Sequence, residues 1–123
     1  RIISMYNEGK SVYDCVKDIH SRWDEYNAHD WCHTISNAQI VTAALLYGEN
    51  DFSKTICMAV DCGFDTDCNA ATVGSILGMK NGLSSIDERW ISPVCGQLKT
   101  AIFGMEQVSI EALIDKTMEH ISR

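Results

Sequence analysis

Apolar residues along this chain recur at intervals of three and four, the spacing that gathers side chains onto one face of an α-helix. Val12, Val16, Ile19, Trp23 and Tyr26 step by 4, 3, 4 and 3 and form the first such stripe. From Asn37 to Tyr47 the chain is rich in Ala, Leu, Ile and Val on nearly every side, which predicts a helix buried on most faces. Gly48-Glu49-Asn50 breaks it, and Asp51 is placed to N-cap the next helix, which buries Phe52, Ile56 and Val60 and stops at Gly63. Another helix begins around Asp67 and runs through Val73 and Leu77 to about Lys80, where Asn81-Gly82 ends it. A loop around Pro93 leads to a short helix near Gly96 to Phe103. Ser109 then caps a last helix with Ile110, Leu113, Ile114, Thr117 and Ile121 on one side. No internal repeat, no linker and no sustained two-residue alternation appears, so the expected fold class is all-α.

Composition narrows the function classes. With 123 residues, 46% of them hydrophobic, and a single proline, the chain has the length of one domain and enough apolar mass for a core. Ten Lys+Arg against 17 Asp+Glu give a net charge of −7, and no basic run is present, so broad nucleic-acid binding and anionic-membrane binding are not expected. The longest apolar stretch, Ile40 to Tyr47, is far short of the roughly 20 residues that a membrane span requires. No charged start followed by an apolar core suggests a signal peptide, and the expected location is cytoplasmic. Six cysteines fall at 15, 32, 57, 62, 68 and 95, with no Cys-x-x-Cys pair of the zinc-knuckle or thioredoxin kind. They are read as reduced, small hydrophobes of a cytosolic core, with three disulfides as the alternative. The chain begins at Arg1 rather than Met, as a processed product or a piece of something longer would.

The densest polar cluster is Asp61-Cys62-Gly63-Phe64-Asp65-Thr66-Asp67-Cys68-Asn69, between two apolar helices. Carboxylates two apart do not share a face inside a helix, but in a turn feeding a helix N-terminus both can aim at one hard cation, with Thr66 adding an oxygen. The calcium loop of an EF-hand does not fit: Asp65, Asp67 and Asn69 match its first ligand positions, yet Ala70 stands where Gly is needed and Ile76 where Glu is needed. A plainer alternative is that Asp65 and Asp67 cap the following helix and complement its dipole. In favour of a rigid mount, Ala70-Ala71, Gly74 and Gly78 give that helix a small-residue face on which another backbone can approach closely.

Elsewhere the chemistry-bearing residues have structural readings beside functional ones. Asn37 either caps the buried helix or lines a cleft, and the cap is favoured. His20 and His29 lie in polar stretches and are expected to be solvated, and His120 suits the end of the last helix. Trp23, Trp31 and Trp90 are core residues or platforms for a base. No Gly-x-Ser-x-Gly or comparable nucleophile element appears.

Cys62-Gly63-Phe64-Asp65-Thr66-Asp67-Cys68-Asn69-Ala70-Ala71, followed by Val73-Gly74-Ser75-Ile76-Leu77-Gly78, resembles the C-terminal signature of the ADP-ribosylglycohydrolases. His33-Thr34-Ile35-Ser36-Asn37-Ala38, Ala43-Ala44-Leu45-Leu46-Tyr47-Gly48 and Asp51-Phe52 are similar to the helix pair before that signature, and Glu88-Arg89-Trp90 and Val108-Ser109-Ile110 to the segments after it. The likeness spans roughly residues 20 to 121. It implies a compact orthogonal helical bundle, part of a larger all-α domain, with two divalent ions, Mg²⁺ or Mn²⁺, between its helices.

By that likeness Asp65 and Asp67 are carboxylate metal ligands, and Cys68 stands where the family usually has the hydroxyl of Thr or Ser. A thiol is a soft ligand, poorly suited to Mg²⁺, so either one ion is held more weakly or a water, the Thr66 oxygen or Asn69 compensates. His33 and Thr66 are the candidate substrate contacts, His33 toward phosphates, although for His33 a helix-start histidine that is hydrogen-bonded locally is the favoured reading. The implied reaction is hydrolysis of the N- or O-glycosidic bond at the ribose C1 of an ADP-ribosyl group, on an ADP-ribosylated substrate or an ADP-ribose-like small molecule. Family members are typically longer, and their N-terminal half carries a Thr/Ser-Asp-Asp metal motif. The acidic pairs here, Asp24-Glu25 and Asp87-Glu88, do not match it. The chain is therefore expected to form the C-terminal half of a dinuclear site and, alone, not to turn over substrate. The alternative is a non-catalytic ADP-ribose-binding or structural, crystallin-like relative.

Overall fold

The structure is a computed structural model that describes residues 1–122. In chain order it contains α1 (Ile2–Asn7), α2 (Val12–His20), α3 (Thr34–Tyr47), α4 (Phe52–Asp61), α5 (Thr66–Asn81), α6 (Glu88–Ile91), β1 (Gln97–Lys99), β2 (Gln107–Ser109) and α7 (Ile110–Ile121), with 3₁₀ turns at Leu83–Ser85 and Ser92–Val94. It is an all-α fold with one small hairpin. The chain divides into two units, Arg1–Ile86 and Asp87–Arg123.

Side chains set where the helices of the first unit begin. Ser11 accepts the Asp14 N–H while the Asp14 carboxylate accepts the Ser11 N–H, a complete capping box for α2. Asp51 accepts the Lys54 N–H at 2.6 Å and starts α4. The core then assembles in two adjoining clusters. Ile2, Cys15, Ile19, Ile40, Ala43, Cys62 and Phe64 join α1, α2 and α3 to the turn after α4. Ala44, Ala59 and Val73 join α3, α4 and α5. Along α5 the small residues do what their size allows: a Cβ at Gly74 would lie 3.4 Å from Ile56 Cδ1, so α4 packs almost directly on that backbone.

Several expectations change. The chain forms α1, which the apolar spacing did not announce. The first stripe ends with α2 at His20, so Tyr26 lies beyond it and is 89% exposed. On α4 the face turned inward carries Thr55 and Ala59, whereas Val60 is exposed and Phe52 and Ile56 are half-buried. All six cysteines are free, but only Cys15 and Cys62 are core residues; Cys32, Cys57, Cys68 and Cys95 are exposed.

In the second unit the helix expected over 96–103 is absent. Cys95 and Gly96 both take left-handed φ, 54° and 64°, which an α-helix cannot contain. From there β1 pairs antiparallel with β2, Leu98 opposite Val108. The Thr100 hydroxyl closes the connection by donating to Met105 O at 2.6 Å and accepting the Ile102 N–H, taking backbone groups that a helix would have used. Ser109 caps α7 as expected, accepting the Ala112 N–H.

Two predictions follow from the first unit. A Cβ at Gly48 would sit 2.0 Å from Thr55 Oγ1, and Thr55 is fully buried with its hydroxyl donating to Asp51 O. Thr55 has nowhere to go, so Gly48→Ala is expected to cost about 2 kcal/mol in a urea titration. Asp18, 14% exposed, accepts hydrogen bonds from Arg1 and Arg22, and chiefly the Arg1 contact holds its carboxyl well below the usual range. Its folded pKa lies under the unfolded one, so the stabilisation is complete above about pH 4 and lost as pH falls through the folded pKa. Asp18→Asn is therefore expected to be less stable than the native protein at neutral pH by about 1 kcal/mol, with the gap closing in acid.

Candidate metal centre

Between α4 and α5 the chain reverses through two left-handed residues in succession, Gly63 at φ 81° and Phe64 at φ 61°. Gly63 is required there twice over, since a Cβ would also fall 2.2 Å from Glu25 Oε2. Phe64 is a bulky residue in that region, a strain that persists because its surroundings fix it. Its ring is buried beside His20, centroids 4.8 Å apart, and its N–H donates to Glu25 Oε2 at 3.3 Å. His20 Nε2 donates to Cys62 O at 2.9 Å, so this histidine is tied to the turn rather than merely solvated. The reversal delivers Asp65, Thr66, Asp67 and Cys68 to the mouth of α5.

One side chain locks that mouth to the rest of the unit. Asn37 Oδ1 accepts the Asp65 N–H at 3.1 Å and Asn69 Nδ2 at 2.6 Å, while Asn37 Nδ2 donates to Trp31 O at 3.0 Å and His33 O at 3.1 Å. Asn69 is 3% exposed, and Asn37 supplies the acceptor its buried amide needs. The expected capping role of Asn37 is thus corrected. The N-cap of α3 is His33, whose Nδ1 accepts the Ile35 N–H at 3.2 Å, and this frees Asn37 to bridge α3 and α5. The His33 ring stacks on Trp23 at 4.6 Å.

The side chains of Asp65, Asp67 and Cys68 converge. Their candidate ligand atoms all lie within 4.8 Å of one another, with Asp65 half-buried and the other two exposed. Asp65 occupies the N-cap position of α5 yet makes no side-chain cap hydrogen bond. The plain capping reading of Asp65 therefore fails on geometry, and its carboxylate meets the Cys68 thiol instead of the helix backbone. Asp67 lies in the first turn, where its charge complements the helix dipole. A hydrogen bond to the Asp65 carboxylate, reinforced by the negative charge there, pushes the Cys68 thiol up from its ordinary value. Thr66 is half-buried between the two aspartates, its N–H bonded to Phe64 O at 3.0 Å.

Carboxylate oxygens sit about 2.0–2.2 Å from Mg²⁺ or a borderline divalent ion, so two on one ion stand at most about 4.4 Å apart. The ligand atoms of Asp65 and Asp67 lie within 4.8 Å of each other, and two carboxylates at this spacing suit a hard divalent cation. The Cys68 thiol does not. A groove of about 420 Å³ between α2 and α4, lined by Val16, Cys57 and Met58 among others, includes none of these three residues.

The family model for ADP-ribosylglycohydrolase matches residues 2–122, nearly the whole chain. The chain belongs to the ADP-ribosylglycohydrolase family. It matches no curated protein and no solved structure. Among the described residues, no helix is long and apolar enough to cross a membrane.

Within this family member, the acidic pair was legible from sequence, but Asn37, Asn69, Glu25 and His20 were not legible as its supports. The available signal was polarity out of place: Asn37 and Asn69 are amides on helices whose inward neighbours are Ile40, Ala43, Ala44, Val73 and Leu77. The geometry of the two acidic N-caps makes a contrast. Asp51→Ala removes a bonded cap and is expected to cost about 1 kcal/mol. Asp65→Ala removes none and is expected to cost no more than about 0.5 kcal/mol, both read by urea denaturation.

Proposed function

We propose that this chain contributes Asp65 and Asp67 to the divalent-metal site of a hydrolase that cleaves the glycosidic bond of ADP-ribosyl groups. The observation that carries the reading is that Asp65, at the tip of a helix wedged into the core, leaves its carboxylate out of the cap and beside Asp67. Family membership supplies the reaction class.

Each residue then has a part. Asp65 and Asp67 hold Mg²⁺ or Mn²⁺, one of two ions in the complete site, whose other ligands come from residues this sequence does not match. Bound there, the cation supplies fixed positive charge for the ribose hydroxyls and for a water nucleophile at C1. Asn37, Asn69 and Glu25 hold the mouth of α5 still, so the carboxylates are positioned before substrate arrives. His33 accepts the Ile35 N–H at Nδ1, which leaves Nε2–H of the neutral ring to donate to a substrate phosphate. Thr66 offers a hydroxyl between the two aspartates. The reading places the protein in the cytoplasm, where six free thiols remain reduced.

The reading is tested by calorimetry with ADP-ribose. The chain is expected to bind ADP-ribose in the presence of Mn²⁺ and to lose that affinity on chelation and in Asp65→Asn and Asp67→Asn. Binding that ignores both chelator and substitutions would overturn the metal-dependent reading, and release of ADP-ribose from a modified protein by a chain carrying both halves of the site separates an enzyme from a binding relative.

A further inference from the structure

Cys68 is a soft donor set among hard ones, and nothing in the packing explains it. The two cysteines that serve the core, Cys15 and Cys62, are buried, whereas Cys68 is exposed. Of the exposed cysteines, Cys68 alone belongs to a group of three candidate ligands among the described residues. It stands three positions after Asp65 on α5, and helical Cβ atoms tilt toward the N-terminus, which aims its sulfur back at the Asp65 carboxylate.

We propose that Cys68 sets the metal preference of this site, favouring a borderline, thiophilic cation such as Zn²⁺ over Mg²⁺. The inference rests on the metal role of Asp65 and Asp67 proposed above and departs from it in the ion, since the Mg²⁺ named there has no use for the thiol. Zinc takes sulfur at about 2.3 Å and oxygen at about 2.0–2.2 Å in tetrahedral array, so its donors stand about 3.5 Å apart. The donor atoms of Asp65, Asp67 and Cys68 all lie within 4.8 Å of one another, and the Cys68 thiol meets the Asp65 carboxylate, so the three form one donor set. Magnesium demands oxygens at about 2.0–2.1 Å in near-octahedral array and gains nothing from a thiol. At this site Mg²⁺ has two protein oxygens to bind, and Zn²⁺ has two oxygens and a sulfur. On binding, the Sγ–H bond gives way to a sulfur–metal bond, the proton passes to solvent, and no electron changes hands.

The test uses the metal-stripped chain with Mg²⁺, Zn²⁺ and Co²⁺, on the native protein and on Cys68→Ser, Asp67→Asn and Cys57→Ser. Cys68 is exposed, so Cys68→Ser is expected to fold, which circular dichroism checks. With Co²⁺, the native protein and Cys57→Ser are expected to show a sulfur-to-cobalt charge-transfer band that Zn²⁺ abolishes. Cys68→Ser is expected to lose the band and at least about tenfold of Zn²⁺ affinity while its Mg²⁺ affinity stays level or rises. Asp67→Asn is expected to weaken both ions. A band that survives in Cys68→Ser, or an unchanged Zn²⁺/Mg²⁺ ratio, overturns the inference. If Mg²⁺ binds the native protein and Cys68→Ser alike, with no band and loss in Asp67→Asn, the thiol inference falls while the metal reading stands; if no cation binds any form, both fall.

Discussion

The arrangement at the mouth of α5 depends on the side-chain amide of Asn37. A single oxygen accepts from the Asp65 backbone and from the buried Asn69 amide, and the nitrogen of the same group donates to Trp31 and His33. Four polar groups are satisfied by one residue, and three pieces of chain are thereby fixed: the loop before α3, the first turns of α3, and the mouth of α5. Leaving the buried Asn69 amide without its acceptor costs about 1–3 kcal/mol, whereas water can replace the exposed bond to Trp31 O. The position of Asp65 and Asp67 is a consequence of that network. The left-handed pair Gly63-Phe64 supplies the reversal, Glu25 and His20 hold it, and Asn37 sets where it ends.

Much of this was legible in the residues, and the parts that were not share a physical cause. Helices with side-chain caps and a clear three-and-four apolar rhythm stood out: Asp51 opens α4, Ser109 opens α7, and Val73 and Leu77 are buried along α5. The helix expected over 96–103 was lost to local backbone geometry. Left-handed Cys95 and Gly96 and the competing hydroxyl of Thr100 outweighed apolar residues whose spacing is too short to decide. Asn37 was misread for the opposite reason. An amide near a helix start has a familiar local use, and only the distant partner, Asn69, turns it into a tertiary link. Periodicity reports which face is buried; it says nothing about a hydrogen bond across 32 positions of sequence.

The acidic tip illustrates how function separates from folding within a few residues. Asp51 and Asp65 hold the same N-terminal position on consecutive helices, yet only Asp51 uses its carboxylate to cap. A residue at a capping position that does not cap has been released from a stabilising job, which is characteristic of sites where chemistry takes precedence over stability. In the function proposed above that release has a purpose, because a divalent-metal site needs carboxylates that are held on a rigid mount and not spent on a helix cap. On the inference drawn from the structure, Cys68 beside them answers to ion choice rather than to fold.

The central claim, that the tip of α5 holds a divalent metal rather than serving as a helix cap, is tested most directly by Mn²⁺ titration followed by electron paramagnetic resonance on the native chain and Asp67→Ala. Free Mn²⁺ signal that disappears on adding native protein with a micromolar midpoint, and persists on adding Asp67→Ala of equal stability, is the predicted result. Equal uptake by both proteins, or uptake by neither, would contradict it.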